Sequence, residues 1–322
     1  MFNFDFLGRK YIWYALSGFF ILLSIFGMAF RGFNYSIDFK GGSASDVIFE
    51  KVVTVEQIRA VLDQQGLGDS KIQPIEHSNV GGIDTQASPN KGSEMLIRTR
   101  TLSQTQEQTL YNKLNQQFGI QDRQTKTVDA TWGATITQRA IYALIATIVV
   151  LIIFITVRYE FKMSVAAVLS LVHDVLITAG IYALVGREVN PNMIAALLTI
   201  LGFSLYDTIV VFHRIKDNST NVVRTTYSAM ANRSINQVLM RSINTSLVTL
   251  LPIVALLLFG GETLKDFAFA MMIGTIAGAY SSIFFASPIF VSWKEAEPYY
   301  KNLKRKYGSK ETVAASSATA TS

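Results

Sequence analysis

The sequence has 322 residues, half of them hydrophobic, a formal net charge of +6 and no cysteine. With a positive mean hydropathy, this composition belongs to membrane proteins and excludes disulfide frameworks and thiol chemistry. The basic excess flanks apolar spans and forms no groove interleaved with aromatics, which argues against a nucleic-acid partner.

Taken in order, Arg9 and Lys10 precede an apolar run from Tyr11 to Phe30. At about 20 residues this run is long for a signal-peptide core, and no small-residue cleavage site follows it. It is expected to be a retained first span, 11–30, after a cytoplasmic N-terminus, 1–10.

The stretch 31–137 is polar and rich in Gln, Thr and Asp. Strands are expected at Ser45–Glu50, Lys71–His77, Glu94–Arg100 and Arg123–Thr131. Pro74 marks the second as an edge strand. Helices are expected over Val55–Gln65, with Thr54 as N-cap, and over Ser103–Phe118. The Gly/Asn/Ser/Pro stretch Ser78–Ser93 reads as a loop. The order β-α-β-β-α-β predicts a ferredoxin-like α+β domain.

Residues 138–290 are expected to carry five further spans, at 138–157, 163–185, 192–213, 243–260 and 266–290. Each is near the 20 residues that cross the hydrocarbon core, and 243–260 is short. Lys and Arg concentrate in Arg158–Lys162, Arg214–Arg241 and the basic tail, 291–322. The positive-inside rule then puts both termini in the cytoplasm and the soluble domain outside it. Glu311–Ser322 has the composition of a disordered tail.

Asp207 lies inside the fourth span, in Thr199–Asp217. A carboxyl at membrane depth costs about 3 kcal/mol on insertion scales, faces a bundle interior or a wet path by default, and marks function. It is also the simplest group that takes up and releases a proton. The competing role is a helix–helix hydrogen bond to a neighbouring Ser or Thr. Ser204 and Thr208 share its helix face. Arg241 opens the fifth span, where it either partners Asp207 or snorkels to the interface. Asp174 sits beside His173 in the third span, as a second proton-relay carboxyl or a buried structural one. Asp38, Gly41 and Gly42 belong to DFKGG after the first span, a tight turn or a motif with a further role. Gly274, Gly278, Ser281 and Ser282 give the last span a small-residue face. No nucleophile–base motif and no pattern of the His-Glu-x-x-His type occurs, so no catalytic residue, metal site or cofactor is expected.

The stretch Gly202–Asn218, GFSLYDTIVVFHRIKDN, resembles the fourth transmembrane helix of the SecF family, membrane subunits of the bacterial protein-export machinery. It departs from the family pattern at Tyr206, where the family has Asn, and at His213, where it has Asp. The resemblance continues through Arg241–Leu250 (RSINTSLVTL), Val172–Asp174, DFKGG, Gly260–Asp266 and the last span. It implies a polytopic α-helical fold of six transmembrane helices, half of an RND-type transporter. It also implies that Asp207 and Arg241 act together in proton relay, with Asp174 and His213 as further candidates. The imidazole of His213 either passes protons near neutral pH or faces lipid headgroups.

The partners implied are SecD, the SecYEG channel, YajC, unfolded exported polypeptide and the lipids of the bacterial inner membrane. The activity implied is use of the proton motive force to promote translocation and release of exported proteins, with no covalent chemistry on a substrate. Two rivals are an RND-type proton antiporter half for a small solute or lipid, and a scaffold that only binds a partner.

Overall fold

The computed structural model describes residues 4–75, 93–128, 130–220 and 225–319. Most of the loop expected at Ser78–Ser93 falls outside them. The chain divides into two compact units, one of Tyr35–Tyr142 and one of Met1–Asn34 with Ala143–Ser322.

The helices are α1 (Lys10–Phe30), α2 (Ile37–Lys40), α3 (Val55–Gln64), α4 (Gln104–Phe118), α5 (Ala130–Arg158), α6 (Phe161–Val185), α7 (Pro191–Ser219), α8 (Tyr227–Phe259), α9 (Glu262–Ser281), α10 (Ser287–Glu295) and α11 (Pro298–Thr319). The strands are β1 (Asn34–Tyr35), β2 (Gly42–Phe49), β3 (Lys71–Pro74), β4 (Glu94–Thr99), β5 (Ile120–Val128) and β6 (Glu188–Val189).

In the first unit the four longer strands lie in the order β3-β4-β2-β5. All three pairings are antiparallel, so this is the ferredoxin-like sheet the strand order predicts. The register sets Val47 of β2 opposite Met95 of β4 and Arg123 of β5. Pro74 is on edge strand β3, where its missing N–H costs no central ladder bond. Both helices open with reciprocal capping boxes, Thr54 with Gln57 and Ser103 with Gln106, which satisfy orphan N–H groups. Ile58, Val61 and Leu62 of α3 and Leu110 and Leu114 of α4 pack with Val47, Phe49 and Ile97 of the sheet. The last strand is displaced from the expected 123–131 to Ile120–Val128. Gly119, at φ 69°, ends α4, so the chain enters the strand at once, and α5 begins at Ala130.

The DFKGG element is a one-turn helix, α2. Ser36 caps it by accepting from the N–H of Asp38 at 3.2 Å, and Gly41 (φ 75°) and Gly42 (φ 145°) close it. A Cβ on Gly42 would lie 2.6 Å from the carbonyl of Thr99, so both conformation and space require glycine there. Asp38 Oδ1 accepts from Lys126 Nζ at 2.9 Å.

The second unit is a membrane bundle. Six helical stretches are long and apolar enough to cross a membrane: Lys10–Phe30, Gly133–Arg158, Phe161–Val185, Pro191–Ser219, Tyr227–Phe259 and Leu264–Glu295. The interior is unusually polar. Ser170, His173, Asp174, Thr178, Ser204, Thr208, Ser281 and Ser282 are buried, while Val149, Val150, Phe154 and Val157 of α5 stay exposed. That inversion suits lipid, where small and hydroxylated side chains join helices to one another.

Four spans run well past their expected bounds. The second begins at Ala130, not 138. The fifth is not the short 243–260 but starts at Tyr227, capped by Thr226 Oγ1. The polar residues of its first turns are held by the N-terminal segment. Asn232 accepts from the N–H of Phe6 at 2.8 Å and donates to the carbonyl of Phe4 at 2.9 Å. Asn236 closes on Phe4 from both sides of its amide. The fourth span reaches Ser219, with Arg214 donating to Gln237 of α8 at 2.6 Å. The sixth runs on through a π-helical turn, Ser282–Ala286, into α10. The wider turn precedes Pro288, whose ring clashes with the carbonyl four residues back in a regular helix. Lys10 Nζ donates to Ser292 Oγ at 3.0 Å, so the start of α1 lies beside the end of α10. Of the tail expected to be disordered, 311–322, residues 311–319 are helical, because α11 continues to Thr319, and the rest lie outside the described residues. Ala314, Ala315 and Ala318 favour that extension.

Candidate functional site

Two carboxyls on adjacent helices define the polar centre of the bundle. Asp207 is on α7, in a cleft of about 720 Å³ lined by residues of α7, α8 and α9, among them Ser204, Tyr206, Asn244, Thr245, Ser246, Thr275 and Gly278. It is 9% exposed. Its Oδ1 accepts from Thr245 Oγ1 at 3.3 Å and its Oδ2 from Ser246 Oγ at 3.5 Å. The neighbour-helix hydrogen bonds weighed against a proton role are therefore present. They are long, and both donors also bond the preceding turn of their own helix. A carboxyl held this loosely in a cleft can change its protonation without losing a strong partner.

Arg241 does not open the fifth span as expected, because α8 starts at Tyr227 and Arg241 lies well inside it; nor does it close an ion pair on Asp207. Its Nη2 donates to Tyr206 Oη at 2.9 Å. Tyr206, half exposed on α7, stands where the resembled family has Asn, and sequence reading gave it no role. Its position immediately before Asp207 was the available signal.

Asp174, on α6, is fully buried. Oδ2 accepts from Ser204 Oγ at 2.5 Å and from Ser281 Oγ at 2.8 Å, and Oδ1 faces His173 Nδ1 at 2.9 Å. Three helices thus meet at one carboxylate. Close approach makes this possible. A Cβ on Gly278 of α9 would fall 2.9 Å from the Cβ of Ser204. Beside it, Thr208 Oγ1 and Ser282 Oγ lie 2.8 Å apart.

His213 is further along α7 and pairs with Asp217 at 2.9 Å, both about half exposed. A second cleft there is lined by Tyr159, His213, Arg214, Asp217, Gln237 and Arg241. Arg241 thus borders this second cleft while bonding a residue of the first. Asp38, Gly41 and Gly42 belong to the first unit, where they form the turn described above. Among the described residues no group of three or more His, Asp or Glu has the arrangement of a metal site.

Comparison with known proteins agrees with this architecture. A family model described as protein export membrane protein SecD/SecF, C-terminal, matches residues 108–296, and one for the SecD/SecF GG motif matches residues 26–44. The chain is 39% identical to protein translocase subunit SecF of Mycobacterium tuberculosis over 94% of this chain and 70% of that one. It is 38% identical to the SecF of Thermodesulfovibrio yellowstonii over 89% and 93%. It also resembles the crystal structure of SecDF from Thermus thermophilus, described as a translocon-associated membrane protein. The TM-score is 0.77 at 34% identity, over 91% of this chain. The chain spans 39% of the length of that structure. With more than half of its length inside the family model and these relatives matched over most of theirs, the chain belongs to the SecD/SecF family of protein-export membrane proteins, among its SecF members.

Proposed function

We propose that this chain uses the proton motive force, together with a SecD partner, to promote translocation and release of polypeptides leaving the SecYEG channel, with YajC as a further associate. The observation that carries the reading is Asp207, a loosely held carboxyl at mid-helix beside a cleft. Protonation of that carboxyl removes a buried charge and so changes which packing of α7 against α8 is favoured. Asp207 is the proton-binding group and Arg241 its modulator. Moving one charge through about 100 mV releases roughly 2.3 kcal/mol. Fully coupled, that shifts a two-state equilibrium about fifty-fold. The distribution of Lys and Arg supports cytoplasmic termini in a bacterial inner membrane, with the ferredoxin-like domain on the opposite side.

The test is export under an imposed proton gradient. Asp207→Asn is expected to remove the gradient-dependent stimulation while the chain still folds and keeps its membrane partner. Asp207→Glu is expected to keep part of it, because a titratable carboxyl remains. Equal stimulation of wild type and Asp207→Asn refutes the reading.

A further inference from the structure

Asp174 has no part in the function just proposed, yet the bundle surrounds it more completely than it surrounds Asp207. Its carboxyl accepts from Ser204 and Ser281 and lies 2.9 Å from His173 Nδ1, and Ser170 Oγ backs Ser281 at 2.8 Å. His173 is 1% exposed, its ring lies 4.6 Å from that of Phe285, and its Nε2 is buried with no hydrogen-bond partner. With the carboxyl ionised, the bond to Asp174 places the imidazole proton on Nδ1. Nε2 is then a bare acceptor, and the pair carries one negative charge with room for one more proton, on the carboxyl or on Nε2.

Ser204 connects this pair to the outer carboxyl. It precedes Asp207 by three residues on α7, so the two share a helix face. Both line the same cleft, and the Ser204 hydroxyl donates to Asp174. A hydroxyl has one donor and two acceptor positions. It can take a proton from one side while giving its own to the other, ending unchanged.

Building on the proton role of Asp207, we propose that Asp174 and His173 form an inner proton-holding site on the path of proton entry, loaded from the Asp207 cleft through the hydroxyl of Ser204. In the transfer a cleft water takes the proton from Asp207 and passes one to Ser204 Oγ. The Ser204 hydrogen moves to Asp174 Oδ2. Asp207 is left ionised and the inner pair neutral. Ser281, the second donor to Asp174 Oδ2, keeps the carboxyl aimed at Ser204, so it is a positioning residue.

The experiment uses the full chain with its membrane partner in liposomes containing a pH-sensitive dye, with proton entry driven by an imposed gradient. Ser204→Ala is expected to slow proton entry about tenfold or more while melting close to wild type, and Ser204→Thr, which keeps the hydroxyl, to retain most of it. Asp207→Asn is the control for the underlying function. If Asp207→Asn abolishes entry but Ser204→Ala leaves it at the wild-type rate, the inner site is refuted and the outer one stands. If Asp207→Asn also matches wild type, the proposed function falls first and the inner site with it. Should Ser204→Ala melt well below wild type, infrared difference spectra between acidic and alkaline pH decide. A protonated-carboxyl band that persists in Asp207→Asn and is lost in Asp207→Asn/Asp174→Asn supports the inner site, and its absence from Asp207→Asn refutes it.

Discussion

Arg241 spends its hydrogen bond on Tyr206, 2.9 Å away, while Asp207, the next residue along α7, is left to Thr245 and Ser246. A guanidinium close to a carboxylate but tied to a phenol modulates that carboxylate without neutralising it. Tyr206→Phe removes the tie. Arg241 then becomes free to pair with ionised Asp207, and an ion pair competes with proton binding. Gradient-dependent export by Tyr206→Phe is expected to need a more acidic proton-donating side than wild type. Tyr206→Asn, which restores a polar partner, is expected to lie between the two. A Tyr206→Phe pH profile that overlays the wild type shows that the phenol has no such role.

His213 gives the opposite expectation. Its partner Asp217 is one turn away, and both side chains are about half exposed. Exposed pairs at this spacing contribute about 0.3–0.5 kcal/mol, and an exposed imidazole is readily replaced by water. His213→Ala is expected to melt within a degree or so of wild type and to leave the pH profile of export unchanged. A displaced profile would place His213 on the proton path.

An acid-sensitive joint lies between α10 and α11. Burial raises the proton affinity of the Glu297 carboxyl, but hydrogen bonds from Lys162 and Lys294 outweigh it and hold the group below its usual range. A carboxyl lowered in this way stabilises the fold above its unfolded value of 4.5. That contribution is lost as pH falls through the lower folded value. Glu297→Gln is therefore expected to melt below wild type at neutral pH, with the gap closing below about pH 4.5. A gap that does not change with pH would mean that packing, not charge, is what the substitution removes.

The spans were legible in the sequence because a soluble domain seldom needs an unbroken apolar run of bilayer length. Asp207 stood out for the same reason, as a charge where none is expected. The start of α8 was hidden because Asn232, Arg233 and Asn236 look like loop residues. Asn232 and Asn236 are satisfied by the backbone of Phe4, Phe6 and Leu7, a partnership more than two hundred residues apart. Asp174 was visible, but its dependence on Ser204 and Ser281 was not. A serine in an apolar helix reads as a packing residue until the facing helix is known. The Arg241–Tyr206 bond was missed because opposite charges on consecutive spans suggest a direct pair. The π-turn at Ser282–Ala286 has no pattern of its own beyond Pro288.

Two glycines separate packing from function. On α6, a Cβ at Gly180 would lie 2.3 Å from the Cα of Ser24 on α1, a contact with backbone that cannot rotate away. On α9, a Cβ at Gly278 would lie 2.9 Å from the Cβ of Ser204, whose hydroxyl serves Asp174. Overpacking of either kind costs typically about 1–3 kcal/mol. Gly180→Val is expected to push α1 from α6 and lower the melting temperature while leaving Ser204, Asp174 and Asp207 in register. Its folded fraction should keep gradient-dependent export. Gly278→Val, at similar thermal cost, is expected to displace Ser204 and lose that stimulation even when fully folded. The comparison is export per folded molecule, with folding measured by thermal melting of the purified complex. Equal residual activity in the two variants would show that the α7–α9 contact is simply a packing surface and that the position of Ser204 does not matter to export.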